Sequence, residues 1–589
     1  MEVGDALKQH FGFDEFRPGQ AEAVEAARSE RDVLVVMPTG SGKSLCYQLP
    51  ALIGDRVAVV VSPLVSLMTD QVDALARIAP GQAALVNAQQ DTAANREALR
   101  RAVAGELRLL YVAPERFSAQ GFADELRTAN VGLFVVDEAH CVSQWGHDFR
   151  PDYFRLADAA RYVGARSIVA STATATPRVA ADIVERLGLR DPLRVTTGFD
   201  RPNLSFAVAP CRGRAEKHSR IAATLAQPDA LPAIVYAGTR AGCERLATTL
   251  QGELGEHVDP YHAGLGRAER AEAQRRFMEG ETRVVVATNA FGMGVDKADV
   301  RTVCHESVPQ SIEAYYQEAG RAGRDGAPAR CLLFAEGRDK GLHVFFIERA
   351  RSDDSAVEQV ARRLAGGGAG TTYDVDFAEL KRIAGDDDDG LRSIVGQLAR
   401  AGVIAPTPAP ADRAVGKVLG PFDGRARSLC RTAAKEAERA RWQQYRAIWR
   451  FVEQSSCRRT VILRHFGDRA QPSPSGPCCD VCDPSLVPAA ARGRSPLSAT
   501  ATPGDPGDLD AAICETVSSA DPAVGRTRAV EILRGGRSKP IRRHSYDGLP
   551  RYGSFGHLSA EQVLRRVDEL LAAGRLRSSG GRYPTLAPA

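Results

Sequence analysis

No stretch of this sequence is apolar enough to cross a bilayer, which takes ~18 consecutive apolar residues. The start, Met1-Glu-Val-Gly-Asp5, lacks the basic residues and apolar core of a secretory signal, so a cytoplasmic protein is expected. A strong excess of one charge is also missing. Against 77 Lys+Arg stand 73 Asp+Glu, a formal net charge of +4. Any surface for nucleic acid must therefore come from local clustering. Nor do the cysteines describe a disulfide framework. Most of the 12 stand singly in strand-like or helical stretches (Cys46, Cys211, Cys243, Cys304, Cys331), as buried thiols do. The exception is Cys478-Cys479-Asp480-Val481-Cys482, with Cys457 upstream, which reads as metal ligation.

What is present is ordinary globular composition, 44% hydrophobic and 25% charged, in a chain of 589 residues. That length exceeds one hydrophobic core and predicts roughly four domains. Apolar runs at 32–36, 57–61, 107–112, 131–136 and 167–170 alternate with helical patterns. A second series follows at 233–236, 284–287, 302–305 and 329–334. Runs apolar on both faces, separated by helix-length segments, predict parallel sheets wrapped by helices. The expected fold is therefore α/β with two tandem units, 1–200 and 201–345. Beyond them, Ala365–Thr371 reads as a flexible glycine-rich stretch. Residues 371–425 suggest a winged-helix-like insertion, and 426–484 a long helix leading into the cysteine cluster. Residues 485–509 read as a linker and 510–589 as a compact basic module.

Three segments carry nucleotide chemistry. Met37-Pro-Thr-Gly-Ser-Gly-Lys-Ser44 follows an apolar run and opens a helix. In such a loop the amides of Thr39, Gly40, Ser41 and Gly42 turn toward phosphate, Lys43 reaches the β/γ-phosphates and Ser44 offers its hydroxyl to Mg²⁺. Met37 stands where the general pattern has its first glycine. Asp137-Glu-Ala-His140 ends another run, with Asp137 assigned to the metal and Glu138 to polarising the attacking water. Tyr316-Gln-Glu-Ala-Gly-Arg-Ala-Gly-Arg-Asp-Gly326 supplies Arg321 and Arg324 from the second unit, to meet the charge that develops on the γ-phosphate.

With these segments in order, the chain resembles the RecQ family of superfamily-two helicases over residues 7–335 and again at the cysteines. The resemblance implies RecA-like folds for the two α/β units. Phe11-Gly-Phe-Asp-Glu-Phe-Arg-Pro-Gly-Gln20 looks like the family's adenine-reading motif, with Gln20 on the base edge and Arg17 in support. Segments 62–71, 111–116, 171–175, 236–240, 262–265 and 287–296 resemble its DNA-contact and coupling motifs. Cys141-Val-Ser-Gln-Trp-Gly-His-Asp-Phe-Arg-Pro-Asp-Tyr153 offers aromatic planes with cations beside them. Base stacking there, worth ~1–3 kcal/mol per base, would report bound single-stranded DNA to Glu138. His140, Gln144, Trp145, His147, Phe149 and Arg150 are the expected DNA contacts.

The resemblance further implies Zn²⁺ held by Cys457, Cys478, Cys479 and Cys482, a closed structural site. The family's usual cluster has a cysteine where this chain has Gly476, and here the extra one is Cys478, directly beside Cys479. A three-cysteine site completed by His465 stays open as an alternative. The module 510–589 looks like a winged-helix domain for duplex DNA, with cations at 525–544 and a wing hairpin from 571–577 and 580–583. Together these imply an ATP-dependent DNA helicase using ATP, Mg²⁺ and Zn²⁺. It would move 3′ to 5′ on single strands, unwind duplex or branched DNA in repair and recombination, and associate with the nucleoid. The alternatives are a DNA-stimulated translocase without unwinding, an RNA helicase, and a DNA-binding scaffold with a dead nucleotide site.

Overall fold

Valine-rich segments with no polar face form the centre of the first sheet in a computed structural model of the chain. It describes all residues except Met1, Leu64, Ala88, 119–120, 144–152, 154–155, 292–296, 351–352, 387, 408–412, 489–505, 537, 539, 542–543, 545, 550, 557, 580–583 and 589. The first sheet has seven strands: β1 (Val33–Val36), β2 (Val57–Val61), β3 (Ala83–Val86), β4 (Leu109–Val112), β5 (Val131–Val136), β6 (Ser167–Thr172) and β7 (Leu193–Thr196). They lie parallel in the order β3-β4-β2-β5-β6-β1-β7. Five were expected. The additional β3 and β7 are the two edges, half-exposed and therefore without a continuous apolar run. At the start of β1, buried Asp32 ties the sheet together. It accepts hydrogen bonds from the Ile168 amide (2.8 Å) and the Arg190 amide (2.6 Å).

The second sheet has six parallel strands: β8 (Leu204–Pro210), β9 (Ala233–Tyr236), β10 (Val258–Tyr261), β11 (Val284–Ala287), β12 (Thr302–His305) and β13 (Ala329–Ala335). Their order is β10-β11-β9-β12-β13-β8. The two strands beyond the expected four are again the edges. In β10 the sequence Val-Asp-Pro-Tyr hides the pattern, because Asp259 is buried as a hydrogen-bond hub for Arg276 and Thr282.

After the second sheet, helix Asp354–Ala365, β14 (Thr372–Asp376), helices Phe377–Ile383 and Asp388–Arg400, and β15 (Ile404–Thr407) with β16 (Arg413–Val418) share one core. The strands form an antiparallel sheet in the order β14-β16-β15. This module begins at 354 rather than 371. The glycine-rich stretch is a turn inside it, where Gly370 takes φ +88° and its amide bonds the Val418 carbonyl at 2.9 Å. Helix Asp388–Arg400 packs against helix Gly424–Glu453, a 30-residue rod. A short helix, Arg458–His465, follows and leads toward the cysteines.

Residues 492–589 form a separate compact unit. Helices Pro506–Ser519, Arg526–Leu533 and Ala560–Ala572 enclose Ile513, Val530, Leu533 and Val567, beside a hairpin of β17 (Leu576–Ser578) and β18 (Leu586–Pro588). The second wing strand thus lies beyond the expected 580–583, which fall outside the described residues.

The second sheet holds a buried charge that its sequence does not announce. The Lys217 ammonium, 1% exposed, donates to the Glu306 carbonyl (2.7 Å) and to both Asp339 carboxylate oxygens (3.0 and 2.8 Å). Removing one partner of a buried pair leaves the other uncompensated, at a cost of about 3–5 kcal/mol. Lys217→Met is therefore expected to destabilise this part of the chain by about that amount in urea unfolding. A loss below about 1 kcal/mol would mean that the pair is effectively solvated.

Candidate nucleotide and metal sites

Parallel strands present their carboxyl ends on one side, and the strand order decides which loops meet there. β1, β6 and β5 are neighbours, so the loop after β1, the Ser171–Ala175 segment and the acidic box converge. Met37 is not a loop residue. Its side chain is buried in the core and its amide bonds the Thr172 carbonyl at 3.2 Å, continuing β1 past Val36. The turn proper starts at Pro38, with Gly40 and Gly42 at φ +83° and +80°. At Gly42 a Cβ would also sit 2.6 Å from the Gln20 amide nitrogen, so a side chain there would displace that amide from the loop. Ser44 is the helical residue that precedes helix Leu45–Ile53.

Arg17 and Gln20 pack onto this loop from outside the sheet. The Arg17 guanidinium donates to the Gly40 carbonyl (2.7 Å), and the Gln20 amide donates to the carbonyls of Ser41 (3.0 Å) and Gly42 (3.2 Å). Both N–H groups of Gln20 are thus committed to the loop.

Lys43 is half-buried and donates to the Pro38 carbonyl at 3.3 Å. Loss of solvent lowers its ammonium below the ordinary lysine value; Glu138 and Asp137 oppose this, and Arg324 adds to it. Asp137 continues β5 through its amide bond to the Val61 carbonyl (2.9 Å). Burial first, then the charge of Glu138, pushes its carboxyl up to about 7, against the pull of Lys43. Glu138 occupies the left-handed region at φ 48°, ψ 46°, which is strained for a residue with a side chain.

His140 is fully buried, with Nδ1 3.2 Å from the Glu138 carboxylate and 3.0 Å from the Thr172 hydroxyl. Burial works against its imidazolium, but Cys141 and Glu138 outweigh that and raise it well above the ordinary histidine range. It sits behind the acidic box with no surface to offer a DNA strand, and it links β5 to β6. Tyr153 is likewise buried, its hydroxyl donating to the Asp137 carbonyl at 3.3 Å, so it supports the box rather than a base. Gln144, Trp145, His147, Phe149 and Arg150 lie outside the described residues.

The second sheet brings its arginines to the same loop. Arg324 lies over Gly40, where an added Cβ would come within 3.6 Å of its Cγ. Arg321 is buried beside Tyr236. A residue that the motifs did not single out sits between the halves. Arg201 donates to the Thr39 carbonyl (3.2 Å) in the loop and to the carbonyls of Gly320 (3.1 Å), Ala322 (2.9 Å) and Gly323 (3.0 Å) in the arginine turn. The available signal was a charged Asp200-Arg201 pair before Pro202 at the boundary between two α/β units.

At the cysteines the donor set fits a metal. Cys457 Sγ lies 3.6 Å from that of Cys478 and 3.8 Å from that of Cys479, and Cys479 lies 3.5 Å from Cys482. All four sulfurs fall within 4.8 Å of one another. A tetrahedron with metal–sulfur arms of about 2.3 Å has edges of about 3.8 Å, so four thiolates at these distances suit Zn²⁺. His465 points elsewhere, with Nε2 2.8 Å from the Glu313 carboxylate.

Parallel sheets that share a phosphate loop, an acidic box and an arginine turn define a helicase-type nucleotide site. The chain matches the DEAD/DEAH box helicase family over 17–183, the helicase conserved C-terminal domain over 216–326, the RecQ zinc-binding family over 424–483 and the RQC domain over 508–589. It is 31% identical to the ATP-dependent DNA helicase RecQ of Bacillus subtilis, over 98% of this chain and 81% of that one. The RecQ of Pasteurella multocida is 40% identical over 62% of this chain and 57% of its own length; that of Haemophilus influenzae is 41% identical over 60% and 56%. The chain thus spans little more than half the length of these last two relatives. The chain belongs to the RecQ family, and the cysteine cluster within its zinc-binding region supports Zn²⁺ as the metal.

The geometry separates the two ligand sets considered for that metal. Cys478→Ser is expected to drop zinc from about one per chain to near zero and to lower the melting temperature, because a structural site of this kind contributes about 10 kcal/mol or more of binding free energy. His465→Ala should leave zinc content unchanged. Colorimetric zinc release measures both, and full zinc in Cys478→Ser with loss in His465→Ala would reverse the assignment.

Proposed function

We propose that this chain couples ATP hydrolysis to 3′-to-5′ movement along single-stranded DNA and to unwinding of duplex or branched DNA, in repair and recombination. The reading rests on one observation: the loop 38–44, the box 137–140 and the turn 320–324, from two different sheets, face one another across a single seam. Lys43 would exchange its weak bond to the Pro38 carbonyl for the β/γ-phosphates, and the loop amides would hold the rest of the polyphosphate. Ser44 and Asp137 are the residues that would hold Mg²⁺, which when bound neutralises charge between the phosphates. Glu138 would orient and polarise the attacking water. Arg321 and Arg324 would stabilise the charge that grows on the γ-phosphate, so that hydrolysis depends on closure of the two halves.

DNA would be sensed through the loop that follows Ser143, with Trp145, Phe149, His147, Arg150 and Gln144 as its contacts. His140, touching both Glu138 and Thr172, is the path inward from that loop. The parts are read as two RecA-like halves (1–200, 201–345), a winged-helix-like insertion (371–425, extended here to begin at 354) and a zinc module (426–484). A linker (485–509) and a winged-helix-like domain for duplex DNA (510–589) follow. In that last domain Arg526 and Arg528 are paired with Asp568 and Glu531. Its contacts to DNA would fall to other cations, among them Arg537, Lys539, Arg542 and Arg543, which lie outside the described residues. A DNA substrate would place the protein at the nucleoid.

Strand displacement on 3′-tailed, 5′-tailed and forked duplexes tests the reading. ATP-dependent release is expected with the 3′ tail and not with the 5′ tail alone. Lys43→Ala should abolish release, and Arg324→Ala should lower kcat for DNA-stimulated hydrolysis by about 10²–10³-fold or more. Hydrolysis on single strands with no release from any substrate would establish the translocase instead. Equal stimulation by matched RNA would point to RNA, and no stimulation at all would leave only a scaffold.

A further inference from the structure

We infer that Arg201 is a positioning residue for nucleotide hydrolysis: its guanidinium holds the phosphate loop and the arginine turn at a fixed separation without touching nucleotide. The inference rests on the ATP-driven reading above. Arg201 stands in the segment that joins the two sheets, one residue after Asp200 and three before β8 begins at Leu204. Its Nη1 bridges two chain segments, donating to Thr39 on one side and to Gly320 on the other, while Nη2 donates to Ala322 and Gly323. The four acceptors are backbone carbonyls, so the guanidinium fixes main-chain position directly. Thr39 adjoins Gly40, over which Arg324 lies, and the three carbonyls of the turn flank Arg321 and lead into Arg324.

The segment's own path is also determined. The Arg201 carbonyl accepts from the Arg459 guanidinium at 2.7 Å and from the Leu204 amide at 3.0 Å. Arg201 therefore carries the position of a fixed backbone into the cleft. Because it contacts the loop from the side of the arginine turn, its loss should leave the amides that bind phosphate intact and displace the arginines that meet the transition state. A misplacement of about 1 Å in such a group can cost about 10²-fold in rate. Lysine cannot replace it: an ammonium is a compact donor on a flexible stem and does not span carbonyls on two bodies as a planar fork does.

The test uses the full-length zinc-loaded protein and compares the parent with Arg201→Ala and Arg201→Lys. Steady-state hydrolysis with saturating single-stranded DNA, affinity for a fluorescent ADP analogue and zinc content are measured for each. Arg201→Ala is expected to lower kcat by about 30–100-fold and Arg201→Lys by about 10-fold, with KM for ATP, analogue affinity and zinc each within about threefold. Either variant keeping kcat within about threefold of the parent would overturn the inference, as would a loss expressed in KM. If Arg201→Ala loses zinc or analogue binding, Arg201→Lys decides. The same loss in Arg201→Lys would assign the residue to folding and overturn its positioning role. A parent with no DNA-stimulated hydrolysis would instead remove the functional reading itself, and this inference with it.

Discussion

A nucleotide site split between two sheets works only if the arginine turn is held on a fixed backbone, and that backbone depends on the buried guanidinium of Arg459. Only 1% exposed, it bonds the Asp200 carboxylate and the carbonyls of Arg201 and Leu204, and lies 5.4 Å from the centre of the Phe206 ring. An uncompensated buried charge costs several kcal/mol, so the segment 200–206 cannot drift from Arg459 without stranding it. Arg459 in turn belongs to the metal module. It follows Cys457 by two residues, and the Phe206 amide bonds the Cys478 carbonyl (3.1 Å) while the Asp480 amide bonds the Phe206 carbonyl (3.0 Å). Edge strand β8 thus borrows a partner from the metal loop. A site with no chemistry of its own fixes the backbone from which the arginine turn is hung.

The same module reaches the helix that precedes that turn. Phe466 stacks on Phe199 with centroids 4.4 Å apart, and Tyr316 packs against both rings while its hydroxyl donates to the Phe199 carbonyl at 2.8 Å. His465 pairs with Glu313 one turn earlier on that helix. Helix Ile312–Ala319 is therefore held at its start by the His465–Glu313 hydrogen bond and along its length by an aromatic stack, and Arg321 and Arg324 follow directly. This explains why His465 stands so near the cysteines in sequence yet serves a different purpose.

Much of this was legible in the sequence, because parallel strands buried on both faces are written as apolar runs and because phosphate chemistry restricts which residues can occupy a loop. The central strands and the two nucleotide motifs followed from that alone. The edge strands β3 and β7 did not, since half-exposed strands carry no continuous apolar signal, and β10 did not because a buried Asp259 interrupts its apolar pattern. Side-chain direction was hidden as well. His140 and Tyr153 have the composition of a DNA-contacting segment, yet both point into the core, and nothing in their spacing distinguishes the two orientations. Arginine was the least legible residue type. Arg526 and Arg528 read as free cations but are paired within their own unit, while Arg201, in an unremarked context, and Arg459, legible only as part of the Cys-Arg-Arg run beside the metal, join separate parts of the fold. The difference lies in long-range partners, which local sequence does not encode.

Glu138 shows how the remaining strain is kept in place. A left-handed backbone at a residue with a side chain costs of order 1–3 kcal/mol and persists only where its surroundings over-determine it. On one side the Asp137 amide is bonded to Val61 and its carbonyl accepts from Tyr153; on the other, the Cys141 amide closes onto the Glu138 carbonyl at 2.9 Å. The bonds across the seam are of another kind. Of the four that Arg201 makes, three stay within the second half and one, at 3.2 Å, crosses to Thr39. A single bond from a charged donor is worth about 1.5–3 kcal/mol. The covalent chain and three bonds keep Arg201 with the arginine turn, so the Thr39 bond is the one of its four that separation of the loop from the turn would break.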